Sequence, residues 1–141
     1  MESTSVEETG AFAELFLKNL VPNKIHATVV GLQGDLGSGK TTFVQAIAEA
    51  LGVRDTVTSP TFVIMKRYAL HDVRFTNMIH IDAYRLESGE ELRVLGWDNI
   101  SRDPHNLVLV EWPERVADVL PEGTDTIQFR FVDEHTRDII F

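Results

Sequence analysis

Apolar residues recur three or four positions apart near the start of the chain, at Phe12, Leu15, Phe16 and Leu20. This spacing places their side chains on one face of a helix. The preceding Ser5-Val6-Glu7-Glu8 fits a capping box, in which the Ser side chain and the Glu three residues later bond free backbone N–H groups. The pattern predicts a helix that begins at this box and ends before Pro22.

Continuous apolar runs and helical spacing then alternate. Residues 26–32 are rich in Val and apolar on both faces, which is typical of a buried strand in a parallel sheet. From Thr41 the helical spacing returns, and Gly52 is placed to end that helix. Residues 107–110 form a second wholly apolar run, which predicts another buried strand.

The remaining segments are shorter, and they complete the expected fold. Residues 62–70 and 73–81 predict a hairpin beside the main sheet. A second capping box at Ser88 predicts a short helix through Leu95, and Pro113 can open a helix through Val119. Residues 126–132 and 136–141 are typical of closing strands. We therefore expect one α/β domain over residues 1–141, with a central, mostly parallel sheet, antiparallel additions and flanking helices.

Composition narrows the class of protein. With 141 residues, 43% hydrophobic and 25% charged, the chain suits a single core. It has no cysteine, which excludes disulfides, thiolate zinc sites and a cysteine nucleophile. No signal peptide or membrane-spanning run is evident, so we expect a cytoplasmic protein. A net charge of −9 without a Lys/Arg cluster disfavours autonomous binding to nucleic acid, although a basic partner protein would suit this surface.

The strongest chemical signal is Gly34-Asp35-Leu36-Gly37-Ser38-Gly39-Lys40-Thr41, which fits the P-loop pattern in full. It lies between a predicted strand and a predicted helix, where Gly37, Ser38 and Gly39 would turn backbone N–H groups toward phosphate oxygens. Lys40 adds a positive charge, Thr41 a hydroxyl for Mg²⁺, and Thr42 a donor to an α-phosphate. The alternative is a glycine-rich turn with an incidental lysine. The pattern favours an NTPase.

Such a site also needs an acidic group that holds Mg²⁺ or orients water, usually at the end of a neighbouring buried strand. Glu111 fits that position best, and Asp82 is the other candidate. Either could instead be a solvated carboxylate at a strand end.

Several further residues carry two interpretations. Residues 58–61, Thr-Ser-Pro-Thr, could sense a γ-phosphate or form a plain proline turn. His80 is expected to be a strand histidine, because no Cys or His lies at a metal-ligand spacing. Trp112 could stack near a nucleotide, although packing is the default. Arg85 and Arg115 could stabilise charge in phosphoryl transfer, but surface or ion-pair roles are commoner.

These residues resemble one known family, the bacterial ATPases of tRNA threonylcarbamoyladenosine biosynthesis called TsaE. The resemblance covers most of the chain and has four blocks in order, 34–42, 58–62, 80–85 and 111–115. It implies a Mg·ATP-dependent ATPase that acts with the proteins TsaB and TsaD.

The resemblance also assigns roles to individual residues. Lys40 would hold phosphates and act in catalysis, Thr41 and Glu111 would bind Mg²⁺, and Asp82 would lie beside the metal and water. Thr9 resembles an early nucleotide contact of the family. Nothing after Thr124 matches a motif, so any nucleotide contact there stays unassigned.

The sequence also has to be compared with three other functions. A small-molecule kinase would need an acceptor pocket and usually a basic lid, whereas residues 86–103 carry only Arg93 and Arg102 among several acids. A GTPase is disfavoured because the guanine-reading Asn-Lys-x-Asp signature is missing. A nucleotide-gated interaction module with little turnover of its own remains an alternative, since partners can raise the turnover of such proteins by roughly 10³ to 10⁵.

Overall fold

The computed structural model of the protein describes residues 1–55, 57, 58, 60 and 63–141. The described elements are, in chain order, β1 (Glu2–Ser3), α1 (Val6–Asn19), β2 (Thr28–Gln33), α2 (Lys40–Ala50), β3 (Met65–Ala69), β4 (Asn77–Asp82), α3 (Gly89–Val94), α4 (Trp97–Arg102), β5 (Asn106–Glu111), a 3₁₀ helix (Pro113–Val119), β6 (Asp125–Phe131) and β7 (Arg137–Ile140).

All of these strands belong to one sheet, in the order β1-β7-β6-β2-β5-β4-β3. The four central strands, β6, β2, β5 and β4, run parallel to one another. The outer pairs β3–β4, β6–β7 and β1–β7 are antiparallel. The predicted α/β fold, with a parallel centre and antiparallel additions, is therefore confirmed.

Each face of the sheet carries its own apolar core. Alternate residues of β2 and β5 enter different cores, because successive side chains of a strand point to opposite faces. On one face, Leu32 and Leu109 pack with residues of α1 and α2 such as Phe43. On the other face, Val29 and Val110 pack with α3, α4 and the 3₁₀ helix. Strands covered on both faces explain the continuous apolar runs of the sequence.

The first capping box is confirmed in part. The Ser5 hydroxyl accepts a hydrogen bond of 3.0 Å from the N–H of Glu8. The returning bond from the Glu8 carboxylate goes to the N–H of Thr4 rather than Ser5, at 2.8 Å. Helix α1 begins and ends where the sequence predicts.

The second capping box is wrong in its hydrogen bonds, although the predicted helix is present as α3. Ser88 makes no side-chain cap, and the Glu91 carboxylate instead accepts the N–H of Glu87 at 2.8 Å. The predicted helix after Pro113 is a 3₁₀ helix, which is kinked at Val116, where φ is −129° and ψ is 22°. Helix α4 and strand β1 were not predicted.

The predicted hairpin exists as β3 and β4, but both strands start later than expected. Ile64 has a positive φ of 69°, a conformation that no extended strand contains, so β3 begins only at Met65. Before β4, the Asp72 carboxylate accepts the backbone N–H of Arg74 at 2.8 Å and forms a turn. Phe62, the first residue of the predicted strand, lies outside the described residues.

Candidate functional site

The glycine-rich loop connects β2 to α2 at the carboxyl end of the sheet, between the two strands that neighbour β2. Gly34, Gly37 and Gly39 have φ values of 157°, 75° and 101°, which L side chains rarely adopt. A Cβ atom at Gly34 would lie 2.4 Å from the carbonyl oxygen of Phe129 in β6. The loop therefore leaves the sheet in close contact with β6, and glycine is required where it does so.

Helix α2 begins in this loop with an open N-terminus. Its cap residue, Gly39, has no side chain, and no side-chain hydrogen bond caps the first turn. Ser38 is fully buried, and its hydroxyl has no hydrogen-bond partner among the described residues. Free N–H groups at a helix N-terminus favour an anion, because the helix dipole adds partial positive charge there.

Lys40 lies at the centre of the cleft, with only 4% of its surface exposed. Its Nζ donates a hydrogen bond to the carbonyl of Gly34 and lies 4.1 Å from the centroid of the Trp112 ring. Burial lowers the pKa of Lys40 below its ordinary value, and the nearby carboxylates of Glu111 and Asp82 oppose that shift. The amino group thus lies near acidic side chains, in a position with little access to solvent.

Both predicted acidic candidates lie beside the loop. Glu111 ends β5 and pairs in register with Leu32 of β2, and Asp82 ends β4 and pairs with Glu111. The two carboxylates are buried, at 4% and 5% exposure. The Glu111 carboxylate lies 2.6 Å from Nε2 of His80, and Asp82 accepts the N–H of Tyr84 at 3.0 Å. The prediction that each acid ends a buried strand near the loop is confirmed.

The other wall of the cleft comes from the two ends of the chain. Thr9 shares a hydrogen bond of 2.7 Å with the hydroxyl of Ser3. Arg137 approaches the loop so closely that a Cβ at Gly39 would lie 3.5 Å from its Cγ. A cleft of about 480 Å³ lies between these walls and the loop, lined by Ser3, Thr4, Ser5, Val6, Thr9, Leu36, Gly37, Ser38, Gly39, Lys40, Thr41, Thr42, Asp82, Glu111, Trp112, Glu134, His135 and Arg137.

Every predicted site residue lines this cleft, including Thr9, Thr41 and Thr42. Sequence reasoning missed Glu134, His135 and Arg137, which lie around the β6–β7 turn. It also missed Ser3, a residue of β1 that lines the cleft. No motif marks these positions. The β6–β7 turn lies near the loop because β6 pairs with β2, and Ser3 lies there because β1 pairs with β7.

Of the residues with two interpretations, some line the cleft and others do not. Trp112 both lines the cleft and packs on the second core, in a backbone conformation with φ of 59°. The Arg115 guanidinium lies 5.9 Å from the Trp112 ring, and neither Arg115 nor Arg85 lines the cleft. Of residues 58–61, Ser59 and Thr61 lie outside the described residues, and Thr58 accepts a hydrogen bond of 3.0 Å from Lys66.

Within the described ranges, no group of three or more His, Asp or Glu side chains is arranged to hold a metal ion by itself. Among the described helices, none combines the length and apolar character needed to cross a bilayer.

The fold and the cleft define a class of protein, a single-domain α/β protein whose glycine-rich strand-to-helix loop faces two acidic strand ends. A family model described as "Threonylcarbamoyl adenosine biosynthesis protein TsaE" matches residues 3–139. The chain belongs to the TsaE family.

Individual relatives agree with this assignment. The chain is 36% identical to the "tRNA threonylcarbamoyladenosine biosynthesis protein TsaE" of Rickettsia typhi, over 94% of this chain and 87% of the relative. It is 36% identical to the Bacillus subtilis protein of the same description, over 96% and 79% of the two chains. It is also similar to the crystal structure of Bacillus subtilis YdiB, with a TM-score of 0.76, 32% identity, and coverage of 99% of this chain and 80% of that one.

Proposed function

We propose that this protein binds and hydrolyses ATP with Mg²⁺, and that it does so in tRNA threonylcarbamoyladenosine biosynthesis together with TsaB and TsaD. The family is one of that biosynthesis, which supports the setting. The cytoplasm, which holds tRNA and ATP, would be its location. The single observation that carries the proposal is the meeting of Lys40, Glu111 and Asp82 at the glycine-rich loop.

The residues present fit a nucleoside triphosphate and Mg²⁺. The loop offers uncapped N–H groups and a lysine, which suit phosphate oxygens. Thr41 and Glu111 offer oxygen atoms, which Mg²⁺ prefers as ligands, and both line the same cleft. Bound Mg²⁺ would neutralise charge that builds on the phosphates during transfer.

Four side chains of the cleft have specific roles in this proposal. Lys40 would hold the β- and γ-phosphates, and Thr42 would donate to the α-phosphate. Asp82 would orient the attacking water, because its carboxylate is fixed by the Tyr84 N–H at the end of β4. Thr9, on the opposite wall, would contact the nucleoside.

The charges of the cleft make the metal necessary. Glu111, Asp82 and Glu134 outnumber the cationic Lys40 and Arg137 among the lining residues. A nucleotide without a metal would be repelled by the carboxylates, since like charges are poorly screened in a buried site. We therefore expect ATP to bind much more tightly with Mg²⁺ than without it.

The kinase alternative loses support from the same geometry. Residues 86–103, where a phosphate-clamping lid was considered, form α3 and α4, and Leu92 and Trp97 are buried there against the sheet. No residue of this segment lines the cleft.

The interaction-module alternative has one observation in its favour. Leu36, which lines the cleft, is 69% exposed. Tyr84 is 36% exposed, and its ring centroid lies 5.0 Å from that of Trp112, which also lines the cleft. A partner that covers these side chains would exclude water and complete the site. Turnover would then be slow alone and rise when TsaB and TsaD are added.

One experiment tests binding, hydrolysis and partnership together. ATP, GTP and ADP would be titrated with Mg²⁺ into the wild-type protein, Lys40→Ala and the control Lys18→Ala, whose residue is exposed at the end of α1. Free phosphate would be followed with and without TsaB and TsaD. We expect Lys40→Ala to bind ATP about 10- to 100-fold more weakly, as for the loss of a charged hydrogen bond. Lys18→Ala should behave as the wild type.

The outcomes separate the candidate functions. ATP-selective binding, lost in Lys40→Ala, with phosphate release that rises on addition of the partners, would support the proposal. Binding without any phosphate release under all conditions would favour the gated module. ADP production that requires a small-molecule acceptor would favour the kinase.

A further inference from the structure

We propose that His80 is a positioning residue, which ties one oxygen of the Glu111 carboxylate inside the sheet and leaves the other oxygen for the cleft. This inference rests on the proposed function, because it concerns how Glu111 would be presented to Mg²⁺. His80 itself would touch neither the metal nor the nucleotide.

The burial of His80 places it under the cleft rather than in it. His80 lies in β4, and its side chain is 0% exposed. Glu111 lies in the adjacent strand β5 and faces the cleft with 4% of its surface exposed. The contact of 2.6 Å between Nε2 and Oε2 therefore joins the cleft to the interior of the sheet.

The contact between His80 and Glu111 is a hydrogen bond of 2.6 Å. An ionised carboxylate can only accept, so a Glu111 carboxylate that serves as a ligand of Mg²⁺ would accept this hydrogen bond from Nε2–H. The other ring nitrogen, Nδ1, is buried and has no partner among the described residues. The ring is thus paired with Glu111 through one nitrogen, and no contact shown satisfies the other.

The surroundings of His80 argue against a purely structural role. On the same face of the sheet, the neighbouring Met78 and Leu109 are fully buried and apolar. A side chain of similar size without polar atoms would fill this space and leave no unsatisfied nitrogen. The single polar contact that the ring is shown to make is with Glu111. The polar character of residue 80 therefore serves Glu111.

The consequence concerns the geometry of a metal ligand. With Oε2 engaged by His80, the Glu111 carboxylate would be held in one orientation as it presents oxygen to Mg²⁺. Hydrogen-bond partners behind a metal ligand typically contribute about 10- to 100-fold to metal affinity. The Asp82 carboxylate accepts a different hydrogen bond, from the backbone N–H of Tyr84 at 3.0 Å.

The test measures metal affinity rather than turnover. Mn²⁺ would be titrated into the ADP complexes of the wild type, His80→Phe, His80→Gln and Met78→Leu, with bound metal followed by electron paramagnetic resonance. His80→Phe removes the donor, whereas the amide nitrogen of Gln can replace Nε2. Met78→Leu is a packing control from the same strand and face.

We expect His80→Phe to lower Mn²⁺ affinity about 10- to 100-fold. His80→Gln should recover most of that loss, and Met78→Leu should match the wild type. ADP affinity in EDTA should be the same for all four proteins. In a Glu111→Gln background, His80→Phe should have no further effect on Mn²⁺ affinity, because the carboxylate that His80 positions is already absent.

Several results would overturn the inference. Wild-type Mn²⁺ affinity in His80→Phe would show that the contact does not matter. Equal losses in His80→Phe and His80→Gln would assign the effect to packing. Should His80→Phe not fold, the wild type and His80→Gln decide. The inference would be contradicted if the wild-type ¹⁵N spectrum showed no hydrogen on Nε2 and His80→Gln also bound the metal weakly. If Glu111→Gln binds Mn²⁺ as well as the wild type, the metal site of the proposed function itself is wrong.

Discussion

Gly34→Ala should destabilise the protein far more than alanine at either of the other loop glycines. A Cβ at Gly34 would lie 2.4 Å from the Phe129 carbonyl oxygen, and this oxygen belongs to the backbone of β6, which cannot turn aside. The same Cβ would be 2.8 Å from the Ser38 hydroxyl. The clash is therefore on both sides of the new methyl group.

The magnitude follows from two contributions. A φ of 157° is rarely adopted by L residues, and such strain costs roughly 1–3 kcal/mol. Forcing a methyl group into a filled space adds roughly 1–3 kcal/mol. Gly37 has a positive φ of 75° but no atom within 4 Å of its Cβ position. Gly37→Ala should thus cost only the first contribution.

The assay is urea unfolding followed by far-UV circular dichroism. We expect the free energy of unfolding to fall by roughly 2–6 kcal/mol in Gly34→Ala and by roughly 1–3 kcal/mol in Gly37→Ala. Gly39→Ala, whose nearest contact would be an ordinary 3.5 Å, should resemble Gly37→Ala. Equal unfolding midpoints and slopes for Gly34→Ala and Gly37→Ala would refute the close contact between the loop and β6.

Three further predictions concern stability. Lys40→Met should raise the free energy of unfolding at pH 7 by about 0.5–2 kcal/mol, because burial lowers the pKa of Lys40 in the folded state. The unfolded chain then binds more protons, so the stability of the wild type rises as the pH approaches the ordinary lysine value of 10.5. Thermal unfolding should therefore show the gain of Lys40→Met shrinking toward that pH. Burial tends to raise the pKa of Asp72, but hydrogen bonds from Arg74 outweigh it and lower that pKa. The pair therefore stabilises the fold above pH 3.8 and ceases to do so as the pH falls through the lower pKa of the folded state. Asp72→Asn should lower the free energy of unfolding by about 1 kcal/mol at pH 7 but not in acid, as measured by urea unfolding at each pH. Gly10→Ala, in the interior of α1 with open space at its Cβ position, should stabilise by about 0.5–1 kcal/mol, and a lower melting temperature would contradict the helix there.

Local patterns sufficed where sequence neighbours build the structure. The strand β2, the glycine-rich loop and α2 are consecutive, so the run of Val residues, the glycines and the helical spacing indicated all of them. Glu111 and Asp82 could be placed because each follows an apolar run, and parallel strands end on the same edge of a sheet. The chemistry expected of these residues remains a prediction.

The parts that were missed depend on distant residues. Strand β1 has only two residues, and it is a strand because β7 pairs with it. Arg137 reaches the cleft because β7 pairs with β6 and β6 pairs with β2, and no local pattern reports which strand lies beside another. Helix α4 was missed because its apolar residues, Trp97 and Ile100, are too few to give a helical period of their own.

The hydrogen bond between His80 and Glu111 could not have been predicted from spacing. The two residues are 31 positions apart, and they meet because β4 and β5 are adjacent. The sequence correctly placed His80 in a strand, but it could not show that the ring lies beneath a carboxylate of the cleft.

The pairing of β1 with β7 also sets an order for the synthesis of this protein. Glu2 lies opposite Asp138 and Ser3 lies opposite Arg137, so nearly the whole chain separates the partners. A ribosome makes chains from the N-terminus at about 5–20 residues per second. Strand β1 thus leaves the ribosome well before its partner β7 does. The part of the cleft wall that contains Ser3 cannot form until β7 has been translated.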